Sequence, residues 1–428
     1  MDEVSVEIFA SGFGLLPFGG KTHCLMALVR ARICRGFYNV CMTRPFDICI
    51  RGAGIVGRTL ALHLAGTQLR VALIAPSATT TETTAASASD VRAYALSQLS
   101  RQLLESVRCW PDVQHATPVL AMQVHGDGDG KVAFNAADTS AEALNWIVDV
   151  PVLEARLAEA VRYQPLIEVM ESPQPATLTV VCEGRASSTR EEWGVQWDVT
   201  PYGQWALAAR VQCANAHAQV ARQWFSEGEI LAFLPMDGPQ GNLCAIVWSV
   251  SPERAQMLQG SSTDDFCEAL ELASHGVSGA VSLVSDRKVW SLQQAQARRW
   301  TGVAGQGAWV LAGDAAHNMH PLAGQGLNMG LADVAELVRA LTERPYWRSV
   351  GDPKLLRQYE RARKADLAVM GQANDALQQL FTNPHPALQA MRNWGMNRFE
   401  SSGPIKQWVA RRAMGTSGKP AIQGKKHS

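Results

Sequence analysis

The chain has no surplus of either charge: 39 Lys and Arg stand against 39 Asp and Glu. Nucleic acid is thereby excluded as the main partner, because a phosphate-binding surface carries a basic excess. No apolar run reaches the roughly eighteen residues of a membrane helix, so no span is expected. The cysteines are few and scattered (Cys24, Cys34, Cys41, Cys49, Cys109, Cys182, Cys213, Cys244 and Cys267), with no C-x-x-C and no zinc-ligand spacing. They read as buried thiols of a reducing, cytoplasmic compartment, and no metal site is expected. A secretory signal is missing too: MDEVSVEIFASGFGLLPFGG lacks the charged-then-apolar layout and the small-residue cleavage site. Met42 stands just ahead of the first clear strand, so residues 1–41 are expected to be a dispensable extension.

What is present suits two interleaved domains in 428 residues. Residues 46–50 form a short apolar run bounded by glycine, which predicts a buried parallel strand. RGAGIVGRTLALHLAG then predicts a turn and a helix, and LRVALIAP (69–76) a second buried strand closed by Pro76. Together they make a right-handed βαβ unit. Residues 77–90 are a Ser/Thr/Ala-rich loop. The spacing of VRAYALSQLSRQLLESVRCW (91–110) predicts a helix. Residues 117–150 read as a hairpin around a Gly-Asp-Gly turn, 200–290 as mainly β, GAWVLAGD (307–314) as a last buried strand, and the chain beyond 326 as helical. The fold class is therefore α/β: a Rossmann-like parallel sheet, an inserted antiparallel β-sheet, and C-terminal helices. Segments 46–116, 151–199 and 291–345 would build the nucleotide-binding domain, and 117–150 with 200–290 the substrate domain. Residues 1–45 would be an N-terminal extension, 346–415 the C-terminal helices and 416–428 a disordered tail.

Three stretches carry chemistry. Gly52-Ala-Gly54-Ile-Val-Gly57 is G-x-G-x-x-G between strand and helix. Its first glycine permits the turn, the second lets backbone approach a pyrophosphate, and the third lets helix pack on strand. The phosphate would lie on free N–H groups at the positive helix end. The acid that usually ends the second strand and binds the adenosine ribose is missing; Ala75 and Pro76 stand there, with Ser77 as a substitute hydroxyl. The second stretch is LAGDAAHNMHPLAGQGLNMG (311–330). It places Asp314 at the carboxyl end of a strand, where α/β sheets bind ligands. Gly324, Gln325 and Gly326 then bring bare backbone against a flat ligand before a helix whose N-terminus stabilises negative charge. The third, VVCEGRASSTR (180–190), sets Glu183, Gly184, two serines and Arg190 in a polar turn; alone it reads as an ordinary loop or a phosphate-friendly one.

In this order the three stretches resemble the class A FAD-dependent aromatic hydroxylases, within them the ubiquinone-biosynthesis (polyprenylphenol) hydroxylases. GDAAHNMHPLAGQGLNMG fits the family's extended Gly-Asp motif throughout. DVRAYALS (90–97), LAFLPM (231–236), YERARKAD (359–366) and IKQWVARRAMG (405–415) extend the likeness over about residues 46–415. The resemblance implies FAD as cofactor, NADPH or NADH as co-substrate, and O2 used to hydroxylate an aromatic ring, with a polyprenylphenol as substrate. It places Gly52, Gly54, Gly57, Arg92, Glu183, Gly184, Gly313, Asp314, Pro321, Gly324, Gln325, Gly326 and Asn328 at the cofactor. Asp314 would face the ribityl chain, Arg92 the phosphates, and Pro321 and Gly324–Gly326 the isoalloxazine. Glu183 departs from the family's Asp at the middle motif. The chemistry is flavin-centred, so no side chain must act as nucleophile; His317 reads as a prop of the turn before it reads as a proton relay, and His320 is equally ambiguous. Phe233, Leu234, Pro235 and Trp248 are candidates for the substrate wall or for ordinary core. MRNWGMNRFESSGPIKQWVARRAMG (391–415) mixes aromatics with arginines, which is compatible with peripheral contact with the inner membrane surface. A soluble aromatic substrate, reduction of prenyl double bonds, and a weakly active scaffold within a quinone-biosynthesis complex are the rival readings.

Overall fold

A computed structural model describes residues 46–75, 90–126, 130–305, 307–318 and 326–382, with side chains to residue 369. The extension, the 77–89 loop, Pro321, Gly324, Gln325, His320 and the 391–415 stretch lie outside the described residues. Three distant parts of the chain supply one six-stranded sheet. Its order is β16 (Thr301–Ala304), β17 (Gly307–Leu311), β9 (Ala176–Val181), β1 (Phe46–Arg51), β2 (Val71–Ile74), β8 (Ile167–Met170). All neighbours are parallel except the β16–β17 pair. VALI in β2 is buried at every position, as a strand covered on both faces must be, and this is why it shows no alternation. The helices Ile55–Gly66 and Gly326–Thr342 pack together over one face. Beneath them Ile48, Ile50, Leu73, Val180 and Leu311 form the core.

Pairing sets the strand ends level. Arg51 is opposite Val181, and Val181 is opposite Leu311. The three residues after these ends, Gly52, Cys182 and Ala312, therefore begin three adjacent turns. The bonds Cys182 N–H to Arg51 O (2.7 Å) and Ala312 N–H to Val181 O (3.0 Å) carry the ladder into them.

A second sheet runs β18 (His317–Asn318), β15 (Lys288–Ala297), β10 (Trp197–Cys213), β13 (Leu243–Val250), β12 (Glu229–Pro235), β11 (Val220–Ser226), β5 (Ala121–His125), β6 (Lys131–Asn135), with β14 (Val281–Leu283) on β10. A third, small sheet joins β3 (Ala93–Leu96), β7 (Asn145–Asp149) and β4 (Ala116–Val119). Only residues 121–135 of the expected hairpin region thus enter the large inserted sheet. Residues 91–96 are not helical: Ala93–Leu96 pair with β7, and the helix starts after Ser97, whose side chain accepts from Ser100 N. Apolar spacing alone could not tell this short strand from the helix that follows it.

The mainly β reading of 200–290 also missed two helices, Pro252–Gly260 and Thr263–Ala273, capped by Ser251 and Ser262. They cover one face of the second sheet, where Leu207, Val211, Phe233, Ile246 and Trp248 meet Leu258, Phe266 and Leu270. Phe233 and Trp248 are therefore core under helices, not a substrate wall; Trp248 Nε1 donates to Glu229 Oε2 at 2.9 Å. Leu234, on the other face with Met236 and Ala245, packs toward Ala95, Val119 and Ile147 of the small sheet. Phe233 is only 1% exposed, so Phe233→Ala is expected to cost about 3–5 kcal/mol. Urea unfolding measures this. A variant as stable as the parent would mean that Phe233 lines an open cavity instead.

Candidate active site

Two glycines of the first turn stand where a side chain would strike the backbone. Gly52 has φ +109°, and a Cβ there would lie 2.4 Å from Cys182 O. A Cβ on Gly57 would lie 1.9 Å from Gly52 O, so only glycine lets the helix close on the strand. A Cβ on Gly54 would meet nothing within 4 Å. That residue faces open space, and as N-cap of the Ile55–Gly66 helix it offers no capping side chain. The first N–H groups of the helix are left for an anion.

Val56 joins this turn to the second one. Its Cγ2 would be 3.3 Å from a Cβ on Gly313 and 2.8 Å from one on Gly330, whose own Cβ would come 3.5 Å from Gly313 Cα. Two glycines 17 positions apart thus make one notch for a side chain of the first turn. Gly313 has φ +62°. After it the chain does not run straight into a helix. It forms β18, where His317 and Asn318 pair with Gln296 and Ala295 of β15. The Gly313–Asp314 turn is therefore held between the two large sheets.

Within this turn one carboxylate is held and another is left open. Asp333, on the Gly326–Thr342 helix, is fully buried. It accepts from Gly313 N (2.8 Å), His317 Nε2 (2.7 Å) and Arg363 Nε (2.7 Å). A carboxylate only accepts, so His317 carries a proton on Nε2. Burial would raise the Asp333 pKa, but His317 and Arg363 outweigh it and hold the group below the usual range. His317 is itself buried and stacked on Trp300, ring centroids 5.1 Å apart. The YERARKAD stretch supplies the remaining bonds. Tyr359 OH donates to Leu311 O, and Glu360 accepts from Trp300 N and Thr301 Oγ1.

Asp314 is exposed while Gly313, Ala315, Ala316 and His317 around it are buried. Among the described residues no side chain hydrogen-bonds to it. Burial of its carboxyl raises its pKa, against the pull of His317 and Arg185. Tyr94 stands in the same field: burial first, then Asp314, raises its hydroxyl pKa, while Arg92 lowers it.

The remaining expected residues are mostly occupied by the protein itself. Glu183 accepts from Ser187 Oγ (2.8 Å), Thr189 N (3.0 Å) and Thr189 Oγ1 (2.6 Å), so it organises the start of the short helix Ser188–Glu192. Arg190, buried over Trp197 at 3.8 Å, donates to Ala315 O and ties this turn to the Gly-Asp turn. Gly184 takes φ +80° within it. Asn328 accepts from Ser97 N and Ser100 Oγ and donates to Ala95 O, which commits both amide atoms to the β3 region. Arg92, partly exposed, pairs with Asp90 (2.6 Å) and Glu154 (3.3 Å). Gly326 opens its helix. Val56, Tyr94, Asp333 and Arg363 were not expected at the site. The one signal for Asp333 is a lone acid on an otherwise apolar helical face, LNMGLADVAELV.

Two glycine turns facing a single open carboxylate, across the carboxyl ends of a parallel sheet, define a dinucleotide-binding flavoprotein. The residues fit FAD: an uncapped helix end and open space at Gly54 for a pyrophosphate, and a free acceptor at Asp314 for a polyol. Residues 171–372 match the model of the FAD binding domain family. The chain is 29% identical over 398 residues to the 3-demethoxyubiquinol 3-hydroxylase of Escherichia coli, covering 87% of this chain and 99% of that protein. It is 29% identical over 394 residues to the ubiquinone hydroxylase UbiL of Rhodospirillum rubrum, covering 86% and 90%. The crystal structure of p-nitrophenol 4-monooxygenase PnpA from Pseudomonas putida has the same fold, with TM-score 0.66 at 17% identity over 86% of this chain and 98% of that one. With an FAD binding domain match and hydroxylase relatives, the chain is similar to the class A flavin-dependent monooxygenases, and these findings support an FAD-dependent monooxygenase.

Asp333→Asn removes the buried carboxylate paired with Arg363, which keeps only the exposed Asp366, and is expected to cost about 3–5 kcal/mol. The wild-type carboxyl has a folded pKa below its unfolded value of about 3.9. Its contribution is complete above the unfolded value and is lost as pH falls through the lower, folded one. Urea midpoints followed downward from about pH 7 through this range should fall more steeply for wild type than for Asp333→Asn. Parallel curves would remove the ionised role given to Asp333.

Proposed function

We propose that this chain hydroxylates the ring of a polyprenylated phenol in ubiquinone biosynthesis, using FAD, O2 and NADPH or NADH. The observation that carries the proposal is the meeting of the Gly52–Gly57 and Gly313–Asp314 turns beside one unpartnered carboxylate. The relatives named for ubiquinone hydroxylation support the substrate class. In this reading Gly52, Gly54 and Gly57 hold the pyrophosphate, with Arg92 beside it. Asp314 accepts from ribityl hydroxyls, and Gly326 opens the helix whose positive end faces the flavin. Pro321, Gly324 and Gln325 would line the ring system. When bound, FAD supplies the redox chemistry, taking electrons from NAD(P)H and delivering them to O2, so that one oxygen atom enters the ring and the other leaves as water.

The protein's own work is positioning and exclusion of water. Asp333 fixes the Gly313 N–H and the His317 ring. Through them it fixes where Asp314 points. Glu183 and Asn328 act one step further out, holding the middle turn and the β3 strand against the same region. Among the described residues no helix is long and apolar enough to cross a membrane. A polyprenyl tail nevertheless resides in a bilayer, so this reading puts the enzyme at the inner membrane surface, by peripheral contact.

Asp314→Ala should purify as colourless apoprotein or release its flavin on dilution, without loss of fold by circular dichroism. A fully yellow variant would remove the role given to Asp314. For the substrate, mass spectrometry of lipids from a gene-deletion strain should show a prenylated quinone precursor lacking one ring oxygen. A normal quinone profile, with NADPH oxidation stimulated by a water-soluble phenol, would assign a soluble aromatic substrate in its place.

A further inference from the structure

The adenosine end of the cofactor site lacks its usual acid. In a dinucleotide-binding unit the second strand ends in Asp or Glu about twenty residues after the glycine turn, and that carboxylate binds the ribose. Here β2 ends at Ile74, and Ala75 occupies the place. The expected substitute, Ser77, lies outside the described residues.

The edge strand β8 brings another acid to the same level. Ile74 pairs with Met170 in parallel register, and Ala75 N–H donates to Met170 O at 2.9 Å. The residue level with Ala75 is therefore Glu171. Paired positions in a parallel ladder face the same way, and alternate positions along a strand share a face. Val71 and Leu73 share the face of position 75, Ile167 shares the face of Glu171, and all three pack in one core. Glu171 thus leaves the sheet on the side from which an acid at 75 would act. It starts one strand further out, about 4.8 Å away. Glu171 is exposed, and among the described residues its carboxylate has no hydrogen-bond or ion-pair partner.

Sheet order decides which half of FAD lies above it. β17, which leads to Asp314, stands on one side of β1, and β2 with β8 stands on the other. A cofactor with its pyrophosphate on the turn after β1 and its ribityl chain at Asp314 must send its adenosine across β2 toward β8. We propose that Glu171 binds the ribose hydroxyls of the adenosine half of FAD, in place of the acid that β2 lacks. This rests on the FAD assignments of the proposed function and adds a residue to them.

The test titrates apoprotein with FAD and with the FAD analogue lacking the adenosine 2′-hydroxyl, following flavin fluorescence. Wild type should bind FAD about tenfold more tightly than the analogue, the size of one lost charge-assisted hydrogen bond. Glu171→Gln should weaken FAD to the level of the analogue and bind the two alike. Adding Ala75→Glu to Glu171→Gln should restore both affinity and discrimination, since it returns the acid to its usual strand. A Glu171→Gln protein that binds FAD as wild type does, or that weakens both ligands equally, overturns the assignment while leaving the FAD site intact. A wild-type protein that binds neither ligand overturns the FAD assignments themselves, and this one with them.

Discussion

Everything at the site depends on three parallel strands ending at the same level. Arg51, Val181 and Leu311 lie in one row across the sheet, although the chain between the first and last is some 260 residues long. The strands are apolar on both faces, so register is held by the ladder bonds and by the close glycine contacts at the strand ends, and these fix where the glycine turns stand. The close contacts are those at Gly52, Gly57, Gly313 and Gly330. At Gly52, Gly313 and Gly330 a side chain would strike the backbone or Val56 of a neighbouring turn, and at Gly57 the carbonyl of Gly52 in its own turn.

Two aspartates in this region show how burial and partnership divide the work. Asp333 is removed from water, but three donors surround it, one of them the Arg363 guanidinium, and its pKa is held below the usual range. A buried pair of this kind adds little net stability over a well-packed apolar replacement, yet breaking it is costly. What it contributes here is a fixed geometry for Gly313 and His317. Asp314, one residue away from that anchor, has no such partners and an elevated pKa. An acceptor that is fixed in place and has no protein donor is suited to a ligand bearing hydroxyl donors.

Local features were legible in the sequence and distant ones were not. G-x-G-x-x-G between an apolar run and a helix carries its own turn geometry, and Gly52 and Gly57 meet the close contacts their positions imply. The strand at 93–96 was hidden because YAL continues smoothly into the apolar spacing of the next helix; the pairing that makes it a strand comes from residues 145–149. Alternation in β12 and β13 correctly separates Phe233 from Leu234, but it cannot say which face is covered. Two Ser-capped helices at 252–273, overlooked in a β-rich segment, decide that Phe233 and Trp248 face inward. Asp333 could be seen as an odd acid on an apolar face. Its partners lie 16, 20 and 30 positions away, so only the fold names them.

Glu183 makes the same point from the opposite direction. Its extra methylene is accommodated because the carboxylate turns back onto Ser187 and Thr189 and does not project toward the site. The adjoining Arg190 then crosses to Ala315 O, so the middle turn supports the Gly-Asp turn from below. On its other side that turn is paired through β18 to β15, and β15 pairs with β10 from Trp197 to Ala208 in the inserted sheet. Arg210 of β10 reaches back to Asp149 and to the backbone of Asp90 and Arg92. The Gly313–Asp314 turn and the inserted sheet are thus tied through β15, and β10 is tied to the small-sheet region through Arg210. A shift of the inserted sheet must move the Gly313–Asp314 turn or break those bonds.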